Sequence, residues 1–129
     1  MLHDDVLNIL QKSIGQASLL NDIRMKEAQT SFEDRFVVKN PTLIQLYSIA
    51  TPNGIKAAAC LEEIVLLKEA EGIRFDYEPH SVDIRHGENH SEEFTSLNPT
   101  QKIPVIVDPH GPDGQKINVF ESGAILMYL

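Results

Sequence analysis

Apolar residues follow two different rhythms along this 129-residue chain. Before position 43, Val6, Ile9, Leu10, Ile14 and Ala17 recur at three- and four-residue intervals. That spacing predicts an amphipathic helix, interrupted at Gly15, with Ile23 and Met25 opening a further turn. We take residues 1–42 as an accessory extension, helical or partly disordered. From position 43 short apolar runs alternate with helical ones, the pattern of an α/β unit containing parallel strands. Leu43 to Ser48 reads as a strand, and a helix follows from Pro52 to about Ala70. Thr51 is its N-cap and Pro52 its first residue, where the missing N–H would have been unpaired anyway. Ile55, Ala58, Ala59, Leu61, Val65 and Leu66 are expected to form its buried face, and Gly72 ends it. Phe75 to Ile84 reads as a second strand. Ser91-Glu92-Glu93 opens a short helix with its acids in the first turn, where the helix dipole favours them, and the helix ends near Asn98-Pro99. Ile103 to Asp108 and Ile117 to Phe120 form a hairpin across Pro109-His110-Gly111-Pro112-Asp113-Gly114. Ser122 caps a last helix that is still apolar at Ile125, Leu126, Met127 and Leu129. The predicted order over residues 43–129 is β-α-β-α-β-β-α.

Composition narrows the class. Hydrophobic residues make up 42% with no Trp, enough for a modest core and too much for a disordered tail. The chain carries 11 Lys plus Arg against 19 Asp plus Glu, a net charge of −8, which argues against a module that grips nucleic-acid phosphates. Residues 1–42 hold six acids and five bases, so the acidity belongs to the second part. One cysteine, Cys60, cannot form an internal disulfide or a CxxC pair, and a reducing, cytoplasmic setting is expected. Acids at Asp4 and Asp5 do not suit a targeting peptide, and no apolar run reaches the roughly 20 residues a membrane span needs. Phosphate-binding loops, dinucleotide fingerprints and HExxH are absent.

Three places can carry chemistry. At Thr51-Pro52-Asn53-Gly54 a strand hands over to a helix N-terminus, and the Thr hydroxyl and Asn amide can donate hydrogen bonds to an anion or thiolate; they can equally serve as plain caps. At Ile103-Pro104 a cis bond would leave the Ile103 backbone facing outward, open to an extended peptide; on base frequency a trans, strand-starting proline is the commoner case. At Glu121-Ser122-Gly123 the residue three after Ser122 is Ile125, so the reciprocal capping box is missing. A carboxylate could take the Ser122 N–H and hydroxyl there while Glu121 accepts from an ammonium group, the signature of an amino-acid end; a simple Ser cap is the alternative. Cys60 sits among Ala57, Ala58, Ala59 and Leu61 and reads as a small core thiol. His86 and His90 lie in a loop without a third ligand, so no metal is expected.

Asn98-Pro99-Thr100-Gln101-Lys102-Ile103-Pro104-Val105, followed by Phe120-Glu121-Ser122-Gly123-Ala124-Ile125-Leu126, resembles the N-terminal thioredoxin-like domain of glutathione transferases. With Leu46-Tyr47-Ser48, Thr51-Pro52-Asn53-Gly54 and Leu61-Glu62-Glu63, the likeness is greatest to the nu-class enzymes, the bacterial disulfide-bond oxidoreductases and the fungal nitrogen-catabolite regulator. It covers residues 43–129 and implies a mixed four-stranded sheet. It implies glutathione as co-substrate, no metal, a small electrophile or disulfide as second substrate, and a homodimer. Carried over by position, Thr51 and Asn53 lie near the glutathione sulfur, and Ile103, before a cis Pro104, pairs its backbone with the cysteinyl unit. Glu121 and Ser122 hold the γ-glutamyl end, and Lys102 meets the glycyl carboxylate. Tyr47 and Ser48 are rival thiol partners, because other transferase classes use a Tyr or Ser near this strand end. The pattern departs from the family at Asn89-His90, where relatives carry a Gln, and at Thr100-Gln101, where they carry Asn-Gly or Asn-Asn. Relatives continue into an all-helical second domain; with the sequence stopping at Leu129 inside the last helix, that domain is expected to be absent here. A transferase or a glutathione-dependent disulfide reductase is one reading; a glutathione-binding regulatory module without turnover, or an inactive fragment, is the other.

Overall fold

A computed structural model of the chain describes residues 36–129 together with Asn8, Gln11, Lys12, Gly15 and Gln16. Strand β1 (Ile44–Ser48) leads into helix α1 (Pro52–Ala70), then β2 (Tyr77–Ser81), α2 (Glu92–Leu97), β3 (Val105–Asp108), β4 (Ile117–Phe120) and α3 (Ser122–Tyr128). The sheet order is β2-β1-β3-β4. β1 runs parallel to β2 and antiparallel to β3, and β3 runs antiparallel to β4. This is the mixed, thioredoxin-like arrangement expected over residues 43–129.

The sheet has a core on each face because strand side chains alternate. On one face Leu46 and Ile106 pack with Ala57 and Leu61 of α1 and Ile125 of α3. On the other, Tyr47, Val105 and Val107 pack with Val82 and Phe94, the latter supplied by α2. Phe36 joins this second core, so packing begins before the expected start at residue 43. The buried face of α1 is Gly54, Ala57, Leu61 and Glu62. Leu66, expected inside, is 40% exposed; the buried row starts at Gly54, and at a period of 3.6 it passes Leu66 by.

The strands are shorter than expected: β1 begins at Ile44 rather than Leu43, and β2 at Tyr77 rather than Phe75. The second strand stops at Ser81 because Ile84–His86 turn into a 3-10 helix, with Asp83 accepting from the His86 N–H. Pro79 sits inside β2, which among the described residues pairs only with β1, and an edge strand tolerates a residue with no N–H to donate. The third strand begins at Val105, after Pro104 rather than at Ile103. Ser91 caps α2, accepting from the Phe94 N–H at 3.1 Å.

The predicted N-terminal helix positions Val6, Ile9, Leu10, Ile14 and Ala17, with Ile23 and Met25, lie outside the described residues. Gly15, expected to interrupt the helix, is itself helical. Lys12 forms an ion pair with Glu62 at 3.2 Å, and the Gln16 amide lies 3.1 Å from the Tyr77 hydroxyl, whose one proton goes to Glu62. Glu62 is 2% exposed and accepts a second bond from Tyr77 at 2.7 Å. A carboxyl group buried on a helix face is costly without such partners. Burial, with Glu62 beside it, pushes the Tyr77 phenol well above its ordinary value.

At the edge of the sheet, the Lys39 and Asn40 N–H groups each donate to the Glu78 carboxylate at 2.7 Å. Burial would raise Glu78; these two donors, with His80 and Gln45, outweigh it and hold the carboxyl below its usual range. His80 stacks on Tyr47, ring centroids 4.5 Å apart. Gln45 donates through its amide nitrogen to the Asn40 and Leu43 carbonyls. Its Oε1 therefore faces His80 Nε2 at 2.7 Å, and that nitrogen carries the proton. Burial, aided by Lys39, keeps His80 neutral below its ordinary pKa and outweighs the opposing pull of Glu78.

The β1-to-α1 junction depends on a missing side chain. A Cβ at Gly54 would stand 2.0 Å from the Ile49 carbonyl oxygen and 2.5 Å from Ser48 Oγ. We expect Gly54→Ala to destabilise the fold by about 2 to 3 kcal/mol in urea unfolding. Gly123→Ala, with open space around it, should be neutral or stabilise by about 0.5 kcal/mol. A second expectation concerns pH. The unfolded His80 takes up a proton near its ordinary pKa of 6.5 and the folded one at lower pH. Stability from this group is therefore complete above 6.5 and declines as pH falls below it. Urea midpoints measured between pH 7.5 and 5 should fall for wild type and flatten in His80→Gln.

Candidate functional site

The strand pairing gathers the predicted residues at one end of the sheet. Tyr47 pairs with Val105, and Val105 pairs with Phe120. The chain leaves β1 toward Thr51 at this end, enters β3 from Ile103-Pro104 at this end, and leaves β4 into Glu121 at this end. β2 also finishes here, with Ser81 opposite Ser48. β1 and β4 are two strand spacings apart, about 10 Å. A fully extended tripeptide spans about 10 to 11 Å.

Thr51 occupies the N-cap of α1, in extended conformation, and its Oγ1 accepts from the Gly54 N–H at 3.1 Å. Capping uses a lone pair of the oxygen and leaves the hydroxyl proton to donate. Asn53 is exposed, and its Oδ1 accepts from Lys56 Nζ at 3.0 Å. With the oxygen taken, the Asn53 NH2 group is the part of the amide offered outward. Lys56 was not singled out from sequence; the signal was present, since residues three apart on a helix are neighbours.

The Ile103-Pro104 bond is cis, as the resemblance implies and against the base frequency of such bonds. Pro104 is buried and Ile103 half-buried. The loop before them is fastened from below. Asn98, 1% exposed, donates to the Lys102 carbonyl at 2.8 Å and accepts from the Thr100 N–H and hydroxyl, each at 2.9 Å. The Lys102 side chain is exposed and makes no bond among the described residues.

Ser122 does not cap α3. It is the first helical residue, and the N-cap position belongs to Glu121, which has φ 70° and ψ 118° and gives no side-chain cap bond. The strained backbone of a non-glycine residue at positive φ costs on the order of 1 to 3 kcal/mol and is a mark of functional sites. Neither the Ser122 hydroxyl nor the Glu121 carboxylate bonds to another of the described residues. An acceptor and a donor therefore stand side by side, unspent.

The rival residues take other roles. Tyr47 is 4% exposed between Phe36 and His80, and burial first, then Glu78 and Glu93, pushes its phenol up to about 12. Ser48 Oγ lies 3.4 Å from the Ile49 carbonyl beneath Gly54. Cys60 is half-buried, and burial with Glu63 raises its thiol, the opposite of an activated nucleophile. His86 pairs with Asp83 at 2.6 Å. Among the described residues no group of three or more His, Cys, Asp or Glu is arranged to hold a metal ion, and no helix is long and apolar enough to cross a membrane. A cavity of about 410 Å³ opens at the opposite end of the sheet, between Ile44, Phe75, Asp108 and Tyr128. It contains none of the predicted site residues.

Comparison with known proteins gives the family. Residues 44–129 match the family described as the N-terminal domain of glutathione S-transferase, and the chain belongs to that family. It is 42% identical over 94 residues to the disulfide-bond oxidoreductase YghU of Escherichia coli, covering 72% of this chain and 30% of that protein. It is 30% identical over 128 residues to the transcriptional regulator URE2 of Saccharomyces cerevisiae, covering 96% of this chain and 32% of that one. A glutathione transferase family member from Pseudomonas fluorescens, solved with two glutathione bound, superposes with a TM-score of 0.63 at 44% identity, over 74% of this chain and 38% of that one. The chain thus spans about a third of the length of the curated relatives it matches.

Proposed function

We propose that this chain binds glutathione across the sheet end just described and uses its thiolate to reduce disulfides. The observation that carries this reading is the placement of Thr51, Ile103-Pro104 and Glu121-Ser122 side by side at one end of three adjacent strands, so that one ligand lying across them can bring a thiol to the first, a backbone to the second and an amino-acid head to the third. The γ-glutamyl carboxylate takes the Ser122 N–H and hydroxyl, and its ammonium group goes to Glu121. The cysteinyl unit pairs with the Ile103 backbone, Lys102 meets the glycyl carboxylate, and the sulfur comes to Thr51 and Asn53. A position in the cytoplasm, where thiols stay reduced, accords with the single cysteine.

Magnitudes decide which groups must act on the sulfur. Lowering a thiol pKa by two units takes about 2.7 kcal/mol. A helix N-terminus supplies roughly 0.3 to 1 kcal/mol, and a hydrogen bond to a charged acceptor about 1.5 to 3. The terminus of α1 is insufficient alone, so the Thr51 hydroxyl or the Asn53 amide has to donate. The bound thiolate then attacks one sulfur of the disulfide, forming a mixed disulfide and releasing a thiolate that takes up a proton. A second glutathione thiolate attacks the mixed disulfide at the glutathione sulfur. Glutathione disulfide leaves, the second thiol is freed, and two electrons have passed from two glutathione molecules to the substrate. No protein cysteine takes part. A small electrophile could be attacked by the same thiolate, and a homodimer is the form in which we expect the protein to act.

A second reading is favoured by the alignment with URE2 over nearly the whole chain: a module that binds glutathione for regulation and turns nothing over. Reduction of 2-hydroxyethyl disulfide by glutathione separates the two. We expect the wild type to be active and Thr51→Ala and Asn53→Ala each to lose about 10- to 100-fold. Rates at background in all three would leave only the binding module. The left-handed Glu121 makes a further prediction, because glycine relieves strain at positive φ. Glu121→Gly should gain about 1 kcal/mol in urea unfolding while its glutathione affinity, measured by calorimetry, falls. Loss of stability would mean that the Glu121 backbone is not strained.

A further inference from the structure

We infer that Asn89 and His90, in the loop after β2, are positioning residues for the glutathione-binding backbone and act through Gln101; this rests on the reading of the site just given. Gln101 has φ 58°, in the left-handed region, and it lies two residues before Ile103. A Gln gains nothing intrinsic from that conformation, so neighbours must hold it there. Three bonds do so. Asn89 Nδ2 donates to the Gln101 carbonyl at 2.8 Å, His90 Nδ1 lies 2.8 Å from Gln101 Oε1, and Gln101 Nε2 donates to Thr95 Oγ1 at 3.1 Å.

The direction of the chain of bonds is fixed. Thr95 donates its hydroxyl proton to the Ser91 carbonyl at 2.7 Å, so its oxygen accepts from the Gln101 amide. That sets Gln101 Oε1 toward His90, and His90 Nδ1 must carry a proton to meet it. Both loop residues therefore donate to one residue of the opposite loop. Asn89 Oδ1 is buried and has no partner among the described residues. The amide tolerates an unpaired oxygen for the bond its nitrogen makes, which places the weight of its position on Gln101. The result is a strap from the end of β2 to the segment 101–103. It holds the segment that leads into Lys102 and Ile103.

The test is calorimetric titration of glutathione into the full chain, as wild type, Asn89→Ala, His90→Ala and His90→Asn. An Asn amide reproduces the donor at imidazole Nδ1, so His90→Asn separates positioning from a general loss of loop structure. We expect Asn89→Ala and His90→Ala to bind about 3- to 10-fold more weakly than wild type, and His90→Asn to recover most of the loss. His90 is exposed, so its variants should fold normally. If the alanine variants bind as tightly as wild type, or His90→Asn binds no better than His90→Ala, the inference is overturned and the glutathione site stands. A wild type that binds no glutathione at millimolar concentration overturns the site itself.

Discussion

Val105 is paired on both sides, with Tyr47 in β1 and with Phe120 in β4, and the rest of the site depends on that double antiparallel register. Because β3 runs against both neighbours, the residue entering it and the residues leaving β1 and β4 share one end of the sheet. A slip of β3 by one residue against β1 would turn the side chains of Val105 and Val107 away from Phe94. Burial of those residues therefore protects the spacing of Thr51, Ile103 and Glu121, although none of the three is itself deep in the core. The core here acts as a ruler for exposed groups.

Around that frame the exposed ends are stabilised by neighbours more than by their own propensities. The β1-to-α1 junction closes only because Gly54 brings no Cβ against Ile49. The segment before Pro104 is held by the buried Asn98, whose amide satisfies three groups of its own loop. Glu121 sits at positive φ where α3 begins, a conformation that local sequence preference does not favour. The two tips differ in kind: Thr51 satisfies its helix while keeping a proton to give, and Glu121-Ser122 leaves its polar groups unspent. One tip is suited to an electron-rich sulfur, the other to a paired carboxylate and ammonium.

Much of this was legible from residue pattern, and the failures have physical reasons. Thr51-Pro52 named the start of α1, and Ser91 with two acids named α2, because caps are local chemistry. The hairpin from β3 to β4 was legible in its Pro and Gly residues. Ser122 misled because a serine before an apolar run is an ordinary cap signal; whether it is the cap or the first helical residue depends on the Glu121 backbone angle. Leu66 misled because the phase of a helix face is set by what packs on it, and a buried Glu62 has no apolar signature. Lys56, Asn89 and Gln101 were missed as site residues because their roles are side-chain bonds, those of Asn89 and Gln101 running between loops eleven or more positions apart. The cis bond followed from resemblance alone, since residue frequencies favour trans.

The proposed glutathione lies at one end of the sheet, and the cavity between Ile44, Asp108 and Tyr128 lies at the other. Amide chemical shifts followed during titration with glutathione examine that claim directly. Shifts concentrated at Asn53, Ile103, Ser122 and Gly123, with those of Asp108, His110 and Leu129 unmoved, are the predicted result. Shifts confined to the residues around Ile44, Asp108 and Tyr128, or none at saturating glutathione, would contradict it.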